Sequence, residues 1–277
     1  MQTMTTQPSP YRISARNCPA CLRPQSSQSL LAMDRAPPSA RSAFIRAKKV
    51  ERGYSRRLLS VARHVGDLIR GFNLDAPGIS DTIRAALDRY SHFLRPWAES
   101  VGSRMVAEVA QRDERSWFRV ANQMGETLRR EIASAPIGNV IRERQVEQVR
   151  LITSLPLEAA ERVQHMTREG IVKGWRADQI ADEIMKTGEV TKSRAMLIAR
   201  TETGRTSTLL TQARAEHVGS EGYFWRTADD SDVRPSHKAM AGKFVAWNAP
   251  PTLDGLTGHA GAIPNCRCFC EPVIPDL

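Results

Sequence analysis

The residues with the clearest chemical capacity lie together near the C-terminal side of the chain. Within residues 223–272 fall His237, His259, Cys266, Cys268 and Cys270, together with the acidic run Asp229, Asp230 and Asp232, then Arg234. Cysteine thiolates and imidazoles are the donors that zinc prefers, usually four in a tetrahedron. Cys266 and Cys268 are two apart, so in an extended strand they project to one face and can grip one ion. A disulfide between them would close a very small, strained ring. His237 with His259 or Cys270 would complete a structural zinc site. The competing reading is a set of free buried cysteines with His237 bonded to an aspartate. The carboxylates allow a third chemistry, since Asp230, Asp232 and His237 could hold a divalent ion for phosphodiester hydrolysis. No complete catalytic motif, neither a phosphate-binding glycine loop nor a zinc-protease helix, accompanies them, so no catalytic residue is assigned. Cys18 and Cys21 have C-x2-C spacing, but no second ligand pair follows at a knuckle distance.

These residues need a scaffold, and most of the chain reads as helix. Val50, Tyr54, Leu58, Val61, Val65, Leu68 and Phe72 recur at spacings of four and three, the apolar stripe of one long helix from Ala40 to Phe72. The same helix carries Arg46, Lys48, Lys49, Arg52, Arg56 and Arg57, a candidate surface for DNA or an acidic protein. His64 reads as a packed histidine. Further helices are expected over 80–95, stopping at Pro96; from Trp97 through about Ala121 to Ile132 with a break near Gly125; and over 140–153. Others are expected from Pro156 to about Gly170, over Ala177–Met185, and, after a stop at Gly188, from Arg194 to His217. Gly222–Thr227 and Lys243–Val245 read as strands, with a short helix starting at Pro235 between them. The fold class is therefore α+β, a mainly helical N-terminal part with a small mixed α/β C-terminal domain. Expected boundaries are a disordered basic tail over 1–40, a helical domain over 41–154 and a C-terminal domain over 155–277.

Composition narrows the function classes. The net charge is +10, and residues 1–75 contribute +9 of it, from 13 Lys and Arg against 4 Asp and Glu. A basic arm on a near-neutral body suits a polyanion or an acidic protein surface. Aromatic residues make up 6%, too few for a base-stacking platform. No apolar run approaches the roughly 18 residues of a membrane span, and the N-terminus has no apolar signal core. Five cysteines in two separated clusters argue against a disulfide framework and for a reducing compartment.

The order of the short motifs is more specific than any one of them. Ala199-Arg200-Thr201-Glu202-Thr203 is followed by Trp225-Arg226-Thr227. The segment from Asp229 through Asp230, Asp232 and Arg234 to His237 comes next, then Gly242, and last Pro264-Asn265-Cys266-Arg267-Cys268. Over about residues 155–275 this series resembles the Mu F-like family of phage head morphogenesis proteins, the SPP1-type minor head proteins included. The resemblance implies a phage or prophage virion component in the head interior or at the portal vertex, present in the host cytoplasm during assembly. It implies portal or other head proteins as partners and a role in DNA packaging or ejection. The alternatives are a nonspecific DNA-binding protein without a head role and a metal-dependent nuclease. Within the first motif, Glu202 and Arg205 are three apart on one helix face. They either pair locally or fold against the C-terminal acidic and cysteine segment, where an arginine could neutralise the Asp229–Asp232 cluster.

Overall fold

The computed structural model describes residues 12–13, 30–32, 39–74, 76–124 and 126–275. Cys18, Cys21 and most of the expected basic tail lie outside the described residues. The chain divides into two compact units, one of residues 50–107 and 142–202, the other of residues 1–49, 108–141 and 203–277. Among the described residues no helix is long and apolar enough to cross a membrane. The α+β class holds, with long helices first and a small antiparallel sheet assembled mostly from the C-terminal side.

The first unit is helical. Helix α1 (Ser39–Arg70) buries Val50, Tyr54, Leu58, Val61, Val65 and Ile69, close to the expected stripe except that Ile69 rather than Leu68 turns fully inward. Its last turns pack with Ile83 and Leu87 of α2 (Ile79–Met124), Ala159, Ala160 and Val163 of α4 (Gly138–Val172) and Ile184 of α5 (Ala177–Met185). Where α2 meets α4, a Cβ on Gly102 would lie 2.7 Å from Cβ of the fully buried Gln148. Tyr54 donates to Gln148 Oε1 at 2.9 Å, and Gln148 Nε2 donates to Glu202 Oε2 at 3.0 Å. Arg144 lies 3.5 Å from the same carboxylate. Burial, with Glu202 adding to it, pushes the Tyr54 hydroxyl pKa far up, so it stays a donor. His64, expected to be packed, is exposed and sets its ring 4.4 Å from that of Tyr90.

Three expected helix breaks are absent. Pro96 lies inside α2 on an exposed face, where water can satisfy the carbonyl that loses its amide partner. Pro156 lies inside α4 and is buried there among Leu155, Ala159 and Ala160, so tertiary packing overrides the local penalty. Gly188 does not end a helix: α6 runs from Thr187 to His217. A Cβ at Gly188 would come within 3.3 Å of Gly66 Cα, so this glycine serves the close approach of α1 and α6. Thr191 is internal to α6 and donates its hydroxyl to the Thr187 carbonyl at 2.8 Å.

The second unit wraps helices onto a sheet. The end of α2 contributes Trp117, Val120 and Ala121, and α3 (Glu126–Ser134) contributes Leu128 and Ile132. Gly125, near which a break is expected, lies outside the described residues. The sheet order is β1 (Arg12–Ile13), β2 (Leu30–Ala32), β7 (Cys268–Pro275), β3 (Gly222–Thr227), β4 (Phe244–Ala246), all antiparallel. A separate hairpin joins β5 (Thr252–Leu253) to β6 (Leu256–Thr257). Tyr223 and Trp225 of β3 are fully buried in the core with Trp247, Ile263 and Ile274. Asp113 of α2 and Arg214 of α6 form a buried ion pair, and Thr211 donates to the same aspartate at 2.5 Å.

Candidate metal centre

The cysteine and histidine residues are positioned by three local devices. Pro235 starts the short helix α7 (Pro235–Lys238), its ring occupying a first-turn position that needs no donor, and this places His237 inward at 1% exposure. Asn265 adopts a left-handed φ of 58°, turning the chain so that Cys266 precedes β7 and Cys268 opens it. Strand β7 is then held on β3, with Trp225 opposite Cys270 and Thr227 opposite Cys268. The loop before the turn is fixed from α6. A Cβ on Gly204 would sit 2.7 Å from the Gly261 carbonyl oxygen, so only glycine admits this approach. Thr208 donates to the Ala260 carbonyl at 2.6 Å, and the Arg205 guanidinium donates to the Ala262 carbonyl at 3.2 and 3.3 Å. Gly204, Arg205 and Thr208 of α6 thus fix the loop that leads into the cysteine segment.

His237, Cys266 and Cys268 converge, their ligand atoms within 4.8 Å of one another and all three residues buried. His237 Nδ1 lies 3.4 Å from Cys266 Sγ and 3.5 Å from Cys268 Sγ. The amides of Gly261 and Cys268 both donate to Cys266 Sγ at 3.4 Å. These donors act on ionisation. The Cys268 thiol hydrogen bond, then the two amides and His237, lower the Cys266 pKa to about 6 against the cost of burial. Cys268 moves the opposite way, up, because it gives its hydrogen bond to Cys266 and is itself buried. The trio is a group able to hold a metal ion.

His259 and Cys270 stand outside that trio. His259 Nδ1 meets the Tyr223 hydroxyl at 3.2 Å, and its ring packs against Tyr223 and Trp247. Burial lowers its pKa. Cys270 Sγ faces the Ala260 carbonyl at 3.5 Å, and burial raises its pKa well above the ordinary thiol value. The acidic residues take another partner. Arg267 pairs with Asp230 at 2.5 Å and also with Asp232, while Asp229 accepts from Thr227 at 2.5 Å. Asp230, Asp232 and His237 therefore do not converge on one point, as hydrolysis through a shared ion would need. The arginine that neutralises the acidic run is Arg267, not Arg205. Arg234 donates to the Pro264 carbonyl and lies 3.8 Å from Asp254. Arg200 lies 3.3 Å from Glu51, and Glu202 is committed to Gln148 and Arg144. Trp225 sets its ring edge-on to His237 at 5.6 Å. Neither Arg267 nor the Arg226–Glu271 pair was marked by local sequence, because their partners lie roughly 35 to 45 residues away in the chain.

Residues 161–271 match the family model for Phage Mu protein F like protein. Over this region the chain is similar to the Mu F-like phage head morphogenesis proteins. The full Mu F-like match begins inside α4 and ends within β7, so it takes in α6, the acidic turn, α7 and the cysteine segment. An uncharacterized protein of Haemophilus influenzae is 31% identical over 181 residues, covering 65% of this chain and 40% of that protein. Minor head protein GP7 of Bacillus phage SPP1 is 26% identical over 161 residues, 51% of each chain. The NAD(+)--arginine ADP-ribosyltransferase EFV of Enterococcus faecalis is 30% identical over 131 residues, covering 43% of this chain but 27% of the transferase. The chain thus spans about half or less of the length of these relatives. No solved structure matches it.

The expected basic face belongs to α1. Lys49, Arg52, Arg56 and Arg63 are exposed, Lys48 and Arg57 are half-buried, and Arg46 lies in the same helix. From Lys49 to Arg63 the row extends roughly 21 Å at 1.5 Å per residue.

Proposed function

We propose that this chain is a minor head protein of a tailed phage or prophage, a structural component acting in head morphogenesis at or near the portal. The observation that carries the reading is the match to the Mu F-like family over residues 161–271, together with the similarity to a relative named as a minor head protein. On this reading the chain is taken into the virion from the host cytoplasm during assembly. Residues 155–277 act as the docking domain toward the portal or another head protein, and 41–154 as a helical domain. The α1 row Arg46, Lys48, Lys49, Arg52, Arg56 and Arg57 meets DNA during packaging or ejection, or an acidic head-protein surface. Exposed cations spaced along one helix favour phosphate contact, which weakens steeply with salt.

The test is co-expression of the full chain with the portal protein encoded beside it, followed by affinity capture at moderate salt and a parallel DNA-retention assay. The expected result is stoichiometric portal capture for wild type and for Arg52→Glu/Arg56→Glu/Arg57→Glu, with DNA retention reduced only in the triple variant. DNA retention without portal capture would instead favour a nonspecific DNA-binding protein with no head role.

A further inference from the structure

We infer that His237 Nδ1, Cys266 Sγ and Cys268 Sγ bind one zinc ion, and that neither His259 nor Cys270 belongs to its ligand set. The geometry carries the first half. Zinc bonds of about 2.3 Å to sulfur and 2.0–2.1 Å to nitrogen, at tetrahedral angles, set an N···S edge of about 3.6 Å. The two observed N···S edges are 3.4 and 3.5 Å, close to that value, and all three ligand atoms lie within 4.8 Å of one another. The surroundings are built for thiolates. Two backbone N–H groups already point at Cys266 Sγ.

Charge selects the class of ion. A divalent cation with two thiolates and a neutral imidazole is a neutral assembly, the kind that a buried site tolerates. The nearby carboxylates Asp230 and Asp232 are held by Arg267, so oxygen-seeking magnesium, calcium or manganese would find no suitable donors. With Nδ1 directed at the sulfurs, the imidazole proton resides on Nε2, which is buried without a protein acceptor.

The second half follows from the partners of the two remaining candidates. His259 and Cys270 are occupied by the Tyr223 hydroxyl and the Ala260 carbonyl. Among the described residues no further His, Cys, Asp or Glu joins the trio. The ion ties α7 to the turn and the strand 29 and 31 residues further along, in a segment otherwise dominated by glycine, proline and short strands. Metal binding there is folding energy for the closing part of the domain.

The experiment is elemental analysis of the full chain purified without added chelator, with thermal unfolding followed in parallel. The expected result is about one zinc per chain, a melting temperature lowered by a strong chelator and restored by zinc but not by magnesium, and unchanged zinc content in Cys270→Ser and His259→Ala. Cys266→Ser, Cys268→Ser and His237→Ala each lose the metal. Should those variants fail to fold, cobalt(II) titration of the metal-stripped wild-type chain substitutes for them, a thiolate-to-cobalt charge-transfer band being expected. Metal-free wild type whose melting ignores zinc and chelator overturns the site, as does the absence of the cobalt band. Loss of zinc in Cys270→Ser or His259→Ala overturns the ligand assignment.

Discussion

Two glycine-to-alanine substitutions in helices should change stability in opposite directions. Gly53 lies in α1 with nothing within 4 Å of where a Cβ would be. Gly53→Ala should therefore realise the helix-propensity gain, about 0.8–1 kcal/mol. Gly204 in α6 has the same propensity to gain, but its Cβ would lie 2.7 Å from the Gly261 carbonyl oxygen, about 0.7 Å inside an ordinary 3.4 Å contact. The obstacle is backbone, so it cannot swing aside. Overpacking of this kind costs about 1–3 kcal/mol. Displacing Gly261 also strains the bonds from Thr208 and Arg205 to its neighbours, at about 1 kcal/mol each if lost. After subtracting the propensity gain, Gly204→Ala should be less stable than wild type by roughly 1–4 kcal/mol. Native-state hydrogen exchange is the suitable assay, because two compact units need not unfold in one step. Faster exchange should concentrate at residues 260–268. If Gly204→Ala equals wild type while Gly53→Ala shows its gain, then α6 does not approach Gly261 as closely as described.

Removing the carboxylate of the buried pair by Asp113→Ala strands the Arg214 charge at 4% side-chain exposure and should cost about 3–5 kcal/mol, read as a lowered urea midpoint for the sheet-containing unit. Stability should also respond to pH through His259. Its pKa in the fold lies below the ordinary value of 6.5 because of burial, so the unfolded chain takes up the proton first as pH falls. Its contribution is complete above about pH 6.5 and declines as pH drops from there through the lowered folded value. His259→Gln should flatten the fall in urea midpoint between pH 7 and 5; an unchanged slope would assign the acid sensitivity to other groups.

Much of the secondary structure was legible because local chemistry decided it. The run Tyr223-Phe224-Trp225 between Gly222 and Thr227 has few alternatives to a strand, and Ala177–Met185 appears with the expected limits. The failures have a common cause. Pro96, Pro156 and Gly188 carry strong local stop signals, yet each is tolerated or required by something distant: solvent on an exposed face, a packed core, the backbone of a crossing helix. For the candidate site, C-x-C spacing and a preceding histidine identified the three residues that meet. The commitments of His259 to Tyr223 and of Cys270 to Ala260 were hidden, because a donor's availability depends on neighbours that come together only in the fold. The same holds for Arg267, whose charge was visible but whose acidic partners were not.

Strand β7 lies between β2 and β3 in the sheet yet is the last described element of the chain. This has a consequence for biosynthesis. Translation must pass residue 273 before β3 has its six-pair neighbour, so one edge of β3 waits unpaired while about 40 further residues emerge. Closing a loop of that length is slow relative to forming the helices made earlier, and a nascent chain paused in this interval displays an apolar strand with a free edge. Helix α1 and most of α2 face no such delay, since their local hydrogen bonds form as they are made. A released fragment truncated at residue 260 should accordingly be protease-resistant in its early helices and cleaved readily from 222 onward.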